Sequence, residues 1–151
     1  NSLILKKLII AFSLLCYLLT CKFLPYCYDE ATNLYYGDGL LNLFFGWISF
    51  VFPGIFPKIC ALAWFSNITY IVAIRSLIKK NRKQFILWIC ITLALGSLLF
   101  FCPKTEVDDW GNTHHHFILT IGYYLKMISY LILFIGGIYV HSSVSRNGPF
   151  C

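Results

Sequence analysis

The chain has 151 residues, of which 59% are hydrophobic and only 12% are charged, against roughly a quarter charged in an average globular protein. A soluble domain of this length cannot hide so much apolar surface and still cover itself with polar groups. The composition therefore excludes the soluble classes. It predicts a single membrane domain over residues 1–151, much of whose surface is solvated by lipid.

The net charge of +6 is unevenly distributed along the chain. All six acidic residues lie within 29–38 and 106–109, whereas most basic residues lie at 6–7, 75–83 and 146. Alternating basic, apolar and acidic segments are what the positive-inside rule produces, and they are not a basic footprint for nucleic acid. We therefore expect no nucleic-acid partner, both termini and the 75–83 loop in the cytoplasm, and the acidic segments outside.

The first predicted span covers residues 6–24 and runs outward. Lys6 and Lys7 before a long apolar run also resemble a signal peptide, and Thr20 followed by Cys21 resembles a lipoprotein cleavage site. Threonine is a poor fit to the small residue that such a site requires, so we interpret the segment as a membrane span. Residues 25–38 begin with Pro25, are rich in tyrosine and form the first outer loop.

Residues 39–74 are too short for two crossings, which need about 40 apolar residues. Two crossings would also place the basic 75–83 segment on the acidic side. We predict instead an interfacial or re-entrant helix over residues 40–52 that does not cross. Pro53 and Pro57 end it, because proline lacks the amide hydrogen and clashes with the preceding turn. The second span then covers residues 58–74 and runs inward.

The second half of the chain repeats the out-and-back pattern. After the basic loop at 75–83, the third span covers residues 84–102 and stops at Pro103. Residues 103–116 form the second outer loop, with a turn signal at 109–112, and the fourth span covers residues 117–140. The predicted fold class is an all-α membrane protein with four transmembrane helices and one interfacial or re-entrant helix.

Several short motifs occur in a fixed order along residues 8–140. They are Gly46-Trp47, Ala63-Trp64 with Asn67 three residues after the tryptophan, Asp109-Trp110-Gly111-Asn112, and Gly122-Tyr123-Tyr124-Leu125. This order and spacing resembles an uncharacterised family of small four-span bacterial membrane proteins. The resemblance implies the same topology and carries no activity. The chain departs from the family pattern at Ile68, where the pattern has proline, and at Lys126, where it has tryptophan.

Lys126 and Asn67 are the candidate residues for a substrate or pore site. Counted from Phe117, Lys126 lies about 13 Å along a helix, close to the membrane midplane, where an ionisable group is a functional hypothesis by default. If the helix begins near Ile121 instead, the ammonium can snorkel to the outer boundary, and this is the placement we expect. For Asn67, in the second span, we expect an interhelical hydrogen bond.

The outer loops contain the weaker candidates for a metal site and a disulfide. His114, His116 and Asp109 have side chains that bind zinc or copper, but consecutive histidines cannot all reach one ion. We therefore expect no metal and no cofactor. Of the seven cysteines, Cys27 and Cys102 lie on the outer side, where a bridge is an alternative in an oxidising compartment, as is one from Cys27 to Cys21. We expect free, structural thiols.

No catalytic residues are predicted. No acidic residue lies in a predicted span, and no Ser/His/Asp or Cys/His set falls at one depth, so we expect no enzyme. We expect a protein of the bacterial cytoplasmic (inner) membrane that acts by binding protein or lipid. Examples are an accessory subunit of a membrane complex and an immunity-type protein. Its partners are the bilayer and another membrane protein or further copies of itself. The alternatives are a small transporter or channel component that uses Lys126 in an oligomeric pore, and a redox or metal-handling protein.

Overall fold

The computed structural model describes residues 2–23, 27–30, 34–36, 44, 46–51, 55–101, 105–107 and 114–146. Four α-helices dominate this part of the chain: α1 (Ser2–Phe23), α2 (Ile55–Ile78), α3 (Arg82–Ser97) and α4 (Ile121–Arg146). A short 3₁₀ helix, Leu98–Phe101, continues α3. By length and composition, all four are long and apolar enough to cross a membrane, α3 together with its extension. The predicted all-α class with four transmembrane helices is confirmed.

The helix bounds differ from the predicted spans mainly in α2 and α4. Helix α2 begins at Ile55, with Pro57 in its first turn, where a missing amide hydrogen leaves no helical bond unmade. It continues to Ile78, and its 24 residues give a length of about 36 Å, ample for a bilayer core of about 30 Å. Helix α4 begins at Ile121 rather than at 117, because the preceding residues pair as a β-strand.

Helices α2 and α3 are joined by a tight turn. Lys80 adopts a left-handed conformation with φ 59°, and its amide donates to the carbonyl of Leu77 at 3.1 Å. The amide of Asn81 donates to the carbonyl of Ser76, also at 3.1 Å, which completes the paired bonds of a Schellman motif. Asn81 then caps α3 by accepting a hydrogen bond from the amide of Gln84 at 3.2 Å. The turn therefore makes α2 and α3 neighbours that run in opposite directions.

Helix α4 packs along α1 on one side and α3 on the other. Two adjacent glycines permit this close approach, as small residues do at helix interfaces in membranes. A Cβ atom at Gly136 would meet the side chain of Ile9 at 2.5 Å, and one at Gly137 would overlap the ring of Phe85. Because Phe85 is fully buried, its ring has little room to move. Neither glycine is therefore a neutral position in the helix.

The two outer loops meet in a small antiparallel sheet that the sequence analysis did not predict. Its strands are β1 (Cys27–Asp29), β2 (Leu34–Tyr36), β3 (Thr105–Val107) and β4 (His114–Leu119), in the order β2-β1-β4-β3. Asp29 pairs with Phe117 across β1 and β4. Asp29 and Glu30 of the first acidic segment and Glu106 of the second therefore lie at one end of the bundle, called here the sheet end. The 79–81 turn marks the opposite, basic end.

The predicted interfacial helix over residues 40–52 is described only at Phe44 and at residues 46–51. Residues 46–51 form a 3₁₀ helix, Gly46–Val51, about 12 Å long and far too short to cross a bilayer. It packs against α2, with the rings of Phe50 and Phe65 6.2 Å apart. The remaining residues of the predicted helix lie outside the described part of the chain.

Candidate functional site

Lys126 lies in the second turn of α4 and is only 6% exposed. The prediction that its side chain faces lipid and snorkels to the headgroups is therefore wrong. Helical spacing explains the orientation, because residues three or four apart share one face of a helix. Tyr123, Tyr130 and Leu133 continue the stripe through Lys126, and all three are buried in the bundle.

The Lys126 ammonium lies beside aromatic and sulfur-containing groups. Its Nζ is 5.9 Å from the centre of the Tyr130 ring, within the range of a cation–π contact. The thiols of Cys21 on α1 and Cys60 on α2 lie within electrostatic range of it. The backbone carbonyl of Lys126 accepts a hydrogen bond from Ser129 Oγ at 2.7 Å. Three helices therefore contribute to the surroundings of this residue.

Asn67 lies on α2, and Tyr130 contacts both Asn67 and Lys126. The Tyr130 hydroxyl donates to Asn67 Oδ1 at 3.4 Å and lies 3.0 Å from Ser66 Oγ. Asn67 is 5% exposed, so its amide sits inside the bundle and takes part in the kind of interhelical bond that we expected. The two candidate residues therefore belong to one polar region, with Tyr130 between them.

Tyr130 also belongs to a cluster of three tyrosines that sequence reasoning missed. The rings of Tyr17, Tyr70 and Tyr130, here called the tyrosine cluster, have centroids 5.0 to 6.3 Å apart and join α1, α2 and α4. Ser13 Oγ is 2.5 Å from the Tyr70 hydroxyl and donates to the Ser129 carbonyl at 2.8 Å. One signal for this cluster was available in the sequence. Tyrosine and serine occur in three apolar segments at spacings that place them on the buried face of a helix.

Two further polar contacts attach α3 to this interior. Thr92 Oγ1 donates to Thr69 Oγ1 at 2.9 Å, and the Tyr123 hydroxyl donates to the Gly96 carbonyl at 2.7 Å. All four residues are buried. Together with the tyrosine cluster, these bonds connect hydroxyl, amide and carbonyl groups of all four helices. Such an arrangement holds helices together and offers a hydrogen-bonding, cation-containing interior near the sheet end.

The weaker candidates fall partly outside the described residues. His114 and His116 occupy alternate positions of β4, paired with Val107 and Thr105 of β3. Asp109 lies outside the described residues, and among those that are described no group of three His, Cys, Asp or Glu residues is placed to hold a metal ion.

The predicted disulfide alternative has the same limit. Cys27 lies in β1, opposite Tyr36 and Leu119, while Cys102 lies outside the described residues. Among the described residues, Cys16, Cys21, Cys60 and Cys90 take part in no disulfide. A bridge from Cys27 to Cys21 is therefore not formed.

The fold and the site define a class: a four-helix protein with membrane-spanning helices and a polar interior. Compared with protein-family models, curated proteins and solved structures, the chain matches none.

Proposed function

We propose that the chain is a non-enzymatic, multi-pass membrane protein that acts by binding another membrane protein or lipid. An accessory subunit of a membrane complex and an immunity-type protein are two forms of this function. The observation that carries the proposal is the bonding of the polar groups inside the bundle. They bond to one another between helices, as in the Ser13–Tyr70 and Thr92–Thr69 contacts.

The middle of the bundle is also tightly filled. Tyr70, Ile89, Tyr130 and Leu133 are all fully buried at this level, and Phe85 is fully buried nearer the basic end. A transport path needs polar groups that face water, whereas the polar groups inside this bundle face other side chains. A filled interior leaves the outer surfaces of the helices and the two ends as the regions available for binding, which favours a partner-binding role over conduction.

The proposed location is the bacterial cytoplasmic membrane, with both termini in the cytoplasm. Pairing of β4 with both β1 and β3 supports it, because Asp29 and Glu106, one from each acidic segment, then share one end of the bundle. At the other end Lys6 Nζ donates to the Ile78 carbonyl at 2.9 Å, which brings the start of α1 beside the basic turn. This separation of charge is the pattern that the positive-inside rule describes.

The test is recovery of the full chain from its native membrane in mild detergent, after brief cross-linking in intact cells. The proposal expects a fixed partner in constant proportion: a complex subunit supports the accessory form, and a pore-forming toxin supports the immunity form. Recovery of the chain alone, or only as copies of itself, would contradict the accessory and immunity forms of the proposal.

A second candidate function, a small transporter or channel component, is favoured by one specific observation. Lys126 is buried in the interior instead of facing lipid, and an ionisable residue in that position is typical of substrate and ion pathways. In this alternative, Lys126 and Asn67 would contribute to a pathway in an oligomer.

Replacing Lys126 with leucine separates the two functions. The binding role expects Lys126→Leu to leave partner recovery unchanged, because Lys126 is inside the bundle and away from any partner surface. It also expects proteoliposomes with the unaltered protein to conduct ions no faster than protein-free vesicles. Lys58→Leu is the matched control, since Lys58 is exposed near the start of α2. A conductance that is abolished by Lys126→Leu and kept in Lys58→Leu would establish the transporter function instead.

A further inference from the structure

Basic side chains from four parts of the chain converge at the basic end of the bundle. Lys6 comes from α1, Lys80 from the turn, Arg82 from the first position of α3, and His141 from α4. Lys6 lies within electrostatic range of Lys80 and His141, and His141 lies within range of Arg82. We call these four residues the cation cluster.

Packing contacts hold the cluster in place. Lys6 Nζ donates a hydrogen bond to the carbonyl of Ile78, two residues before Lys80, and this bond holds the Lys6 ammonium beside the turn. The ring of His141 lies 5.8 Å from that of Phe85, one helical turn after Arg82. Because Phe85 is fully buried and also meets Gly137, this end of α4 is tied firmly to the start of α3. Packing therefore holds Lys6 and His141 in place, and the exposed Lys80 and Arg82 lie beside them.

Among the described residues, the cluster has no acidic residue to balance it. The acidic residues that the structure describes, Asp29, Glu30 and Glu106, lie in or beside strands β1 and β3 at the opposite end. In addition, α3 begins with Arg82 and Lys83 and has no acidic residue in its first turn. Cations are unfavourable there, because the amide hydrogens at a helix start already carry partial positive charge. An anion bound among these groups would relieve both repulsions.

His141 provides a polar atom that suits such an anion. Its Nε2 is buried and has no hydrogen-bond partner among the residues that the structure describes. An imidazole nitrogen that carries a proton donates a hydrogen bond readily to a phosphate oxygen. Arg82 adds a planar guanidinium, whose paired donors match a phosphate group.

We propose that the cation cluster binds the phosphate of an anionic phospholipid headgroup. The lipid is the source that fits best, because the cluster lies at the ends of the four candidate membrane spans. Leu8, Ile78 and Tyr139, at the same end, are strongly exposed and suit contact with acyl chains. Basic residues just cytoplasmic of a membrane helix attract anionic lipid in this way. The inference deepens the proposed binding role by naming a ligand, and rests on it only through the membrane location.

The test is native mass spectrometry of the full chain in mild detergent, titrated with phosphatidylglycerol or with phosphatidylcholine. The expected result is preferential retention of phosphatidylglycerol, which Arg82→Gln reduces by about fivefold because it removes a full positive charge, and which His141→Phe reduces by less. The variants are Arg82→Gln, at an exposed position, and His141→Phe, which keeps a ring against Phe85 and removes both nitrogens. Lys58→Gln, at the sheet end, is the control and should change nothing.

Three outcomes would overturn the inference. The first is equal retention of the two lipids by the unaltered protein. The second is a preference that Lys58→Gln lowers as much as Arg82→Gln does, which would mean a general charge effect. The third is complete displacement of phosphatidylglycerol by inorganic phosphate, which would identify a site for a soluble anion. Lipid retention and partner recovery are separate measurements, so failure of one is distinguishable from failure of the other.

Discussion

Tyr130→Ala is expected to lower the free energy of unfolding by about 3 kcal/mol, because truncating a fully buried aromatic side chain leaves a cavity that the core fills only in part. The ring packs against Tyr17 and Tyr70, and its hydroxyl bonds to Ser66 and Asn67. The change therefore loosens α1, α2 and α4 at once. The measurement is reversible unfolding in mixed micelles, followed by circular dichroism.

Two companion variants divide this loss into its parts. Tyr130→Phe keeps the ring and removes only the hydroxyl bonds, which are worth about 0.6 kcal/mol on average in membranes. Tyr139→Ala, at a lipid-facing position of α4 that is 61% exposed, should change stability by less than about 0.5 kcal/mol. If Tyr130→Ala costs no more than Tyr139→Ala, the tyrosine cluster is not the core of the bundle.

Gly137→Ala is expected to destabilise the protein by about 1–3 kcal/mol, the range for overpacking a close-packed core. The sign is informative, because replacing a mid-helix glycine with alanine usually stabilises a helix by roughly 0.5–1 kcal/mol. Here the added methyl group would overlap the ring of Phe85 and push α4 away from α3. The same unfolding measurement in mixed micelles applies.

A double-mutant cycle identifies the cause of this loss. Phe85→Leu shortens the side chain that the new methyl group meets, so Gly137→Ala should cost much less in the Phe85→Leu background than in the unaltered protein. An equal cost in both backgrounds would show that the two helices do not approach through Gly137.

The helices were predictable because their signals are local. Apolar runs of membrane length, prolines at 25, 53, 57 and 103, and the separation of acidic from basic residues are all visible in the sequence. These features place all four helices close to their observed bounds. The sheet was not predictable in the same way, because three of its strands have only three residues each. Its central pairing joins Cys27–Asp29 to residues 117–119, far apart in the chain.

The error at Lys126 concerns the face of the helix on which it lies and not the residue at which the helix starts. Phe117, Ile118 and Leu119 are as apolar as the helix that follows, so hydropathy alone extends the span through them. Their pairing in β4 starts the helix at Ile121, as the snorkelling interpretation required, yet the side chain turns inward. The spacing of Tyr123, Lys126 and Tyr130 places them on one face of the helix and predicts that orientation. The prediction for Lys126 instead gave more weight to its depth in the membrane than to its face of the helix.

The cation cluster shows the other limit of sequence reasoning. Lys6 and the residues of the 75–83 loop were identified as topology signals, which requires only that they lie on one side of the membrane. Their approach to His141 depends on packing of Phe85 against Gly137 and of Ile9 against Gly136, contacts that join three different helices. No local pattern predicts such a contact.

The central claim is that the chain crosses the membrane four times, with the sheet end outside and the basic end in the cytoplasm. Cysteine labelling with a membrane-impermeant maleimide in intact cells tests it most directly. The background is a variant with serine in place of Cys27, Cys102 and Cys151, so that the native thiols near the ends do not react. Thr32→Cys and Thr113→Cys should be labelled from outside, while Asn81→Cys should be labelled only after the membrane is opened. Labelling of Asn81→Cys in intact cells, with Thr32→Cys protected, would contradict the account.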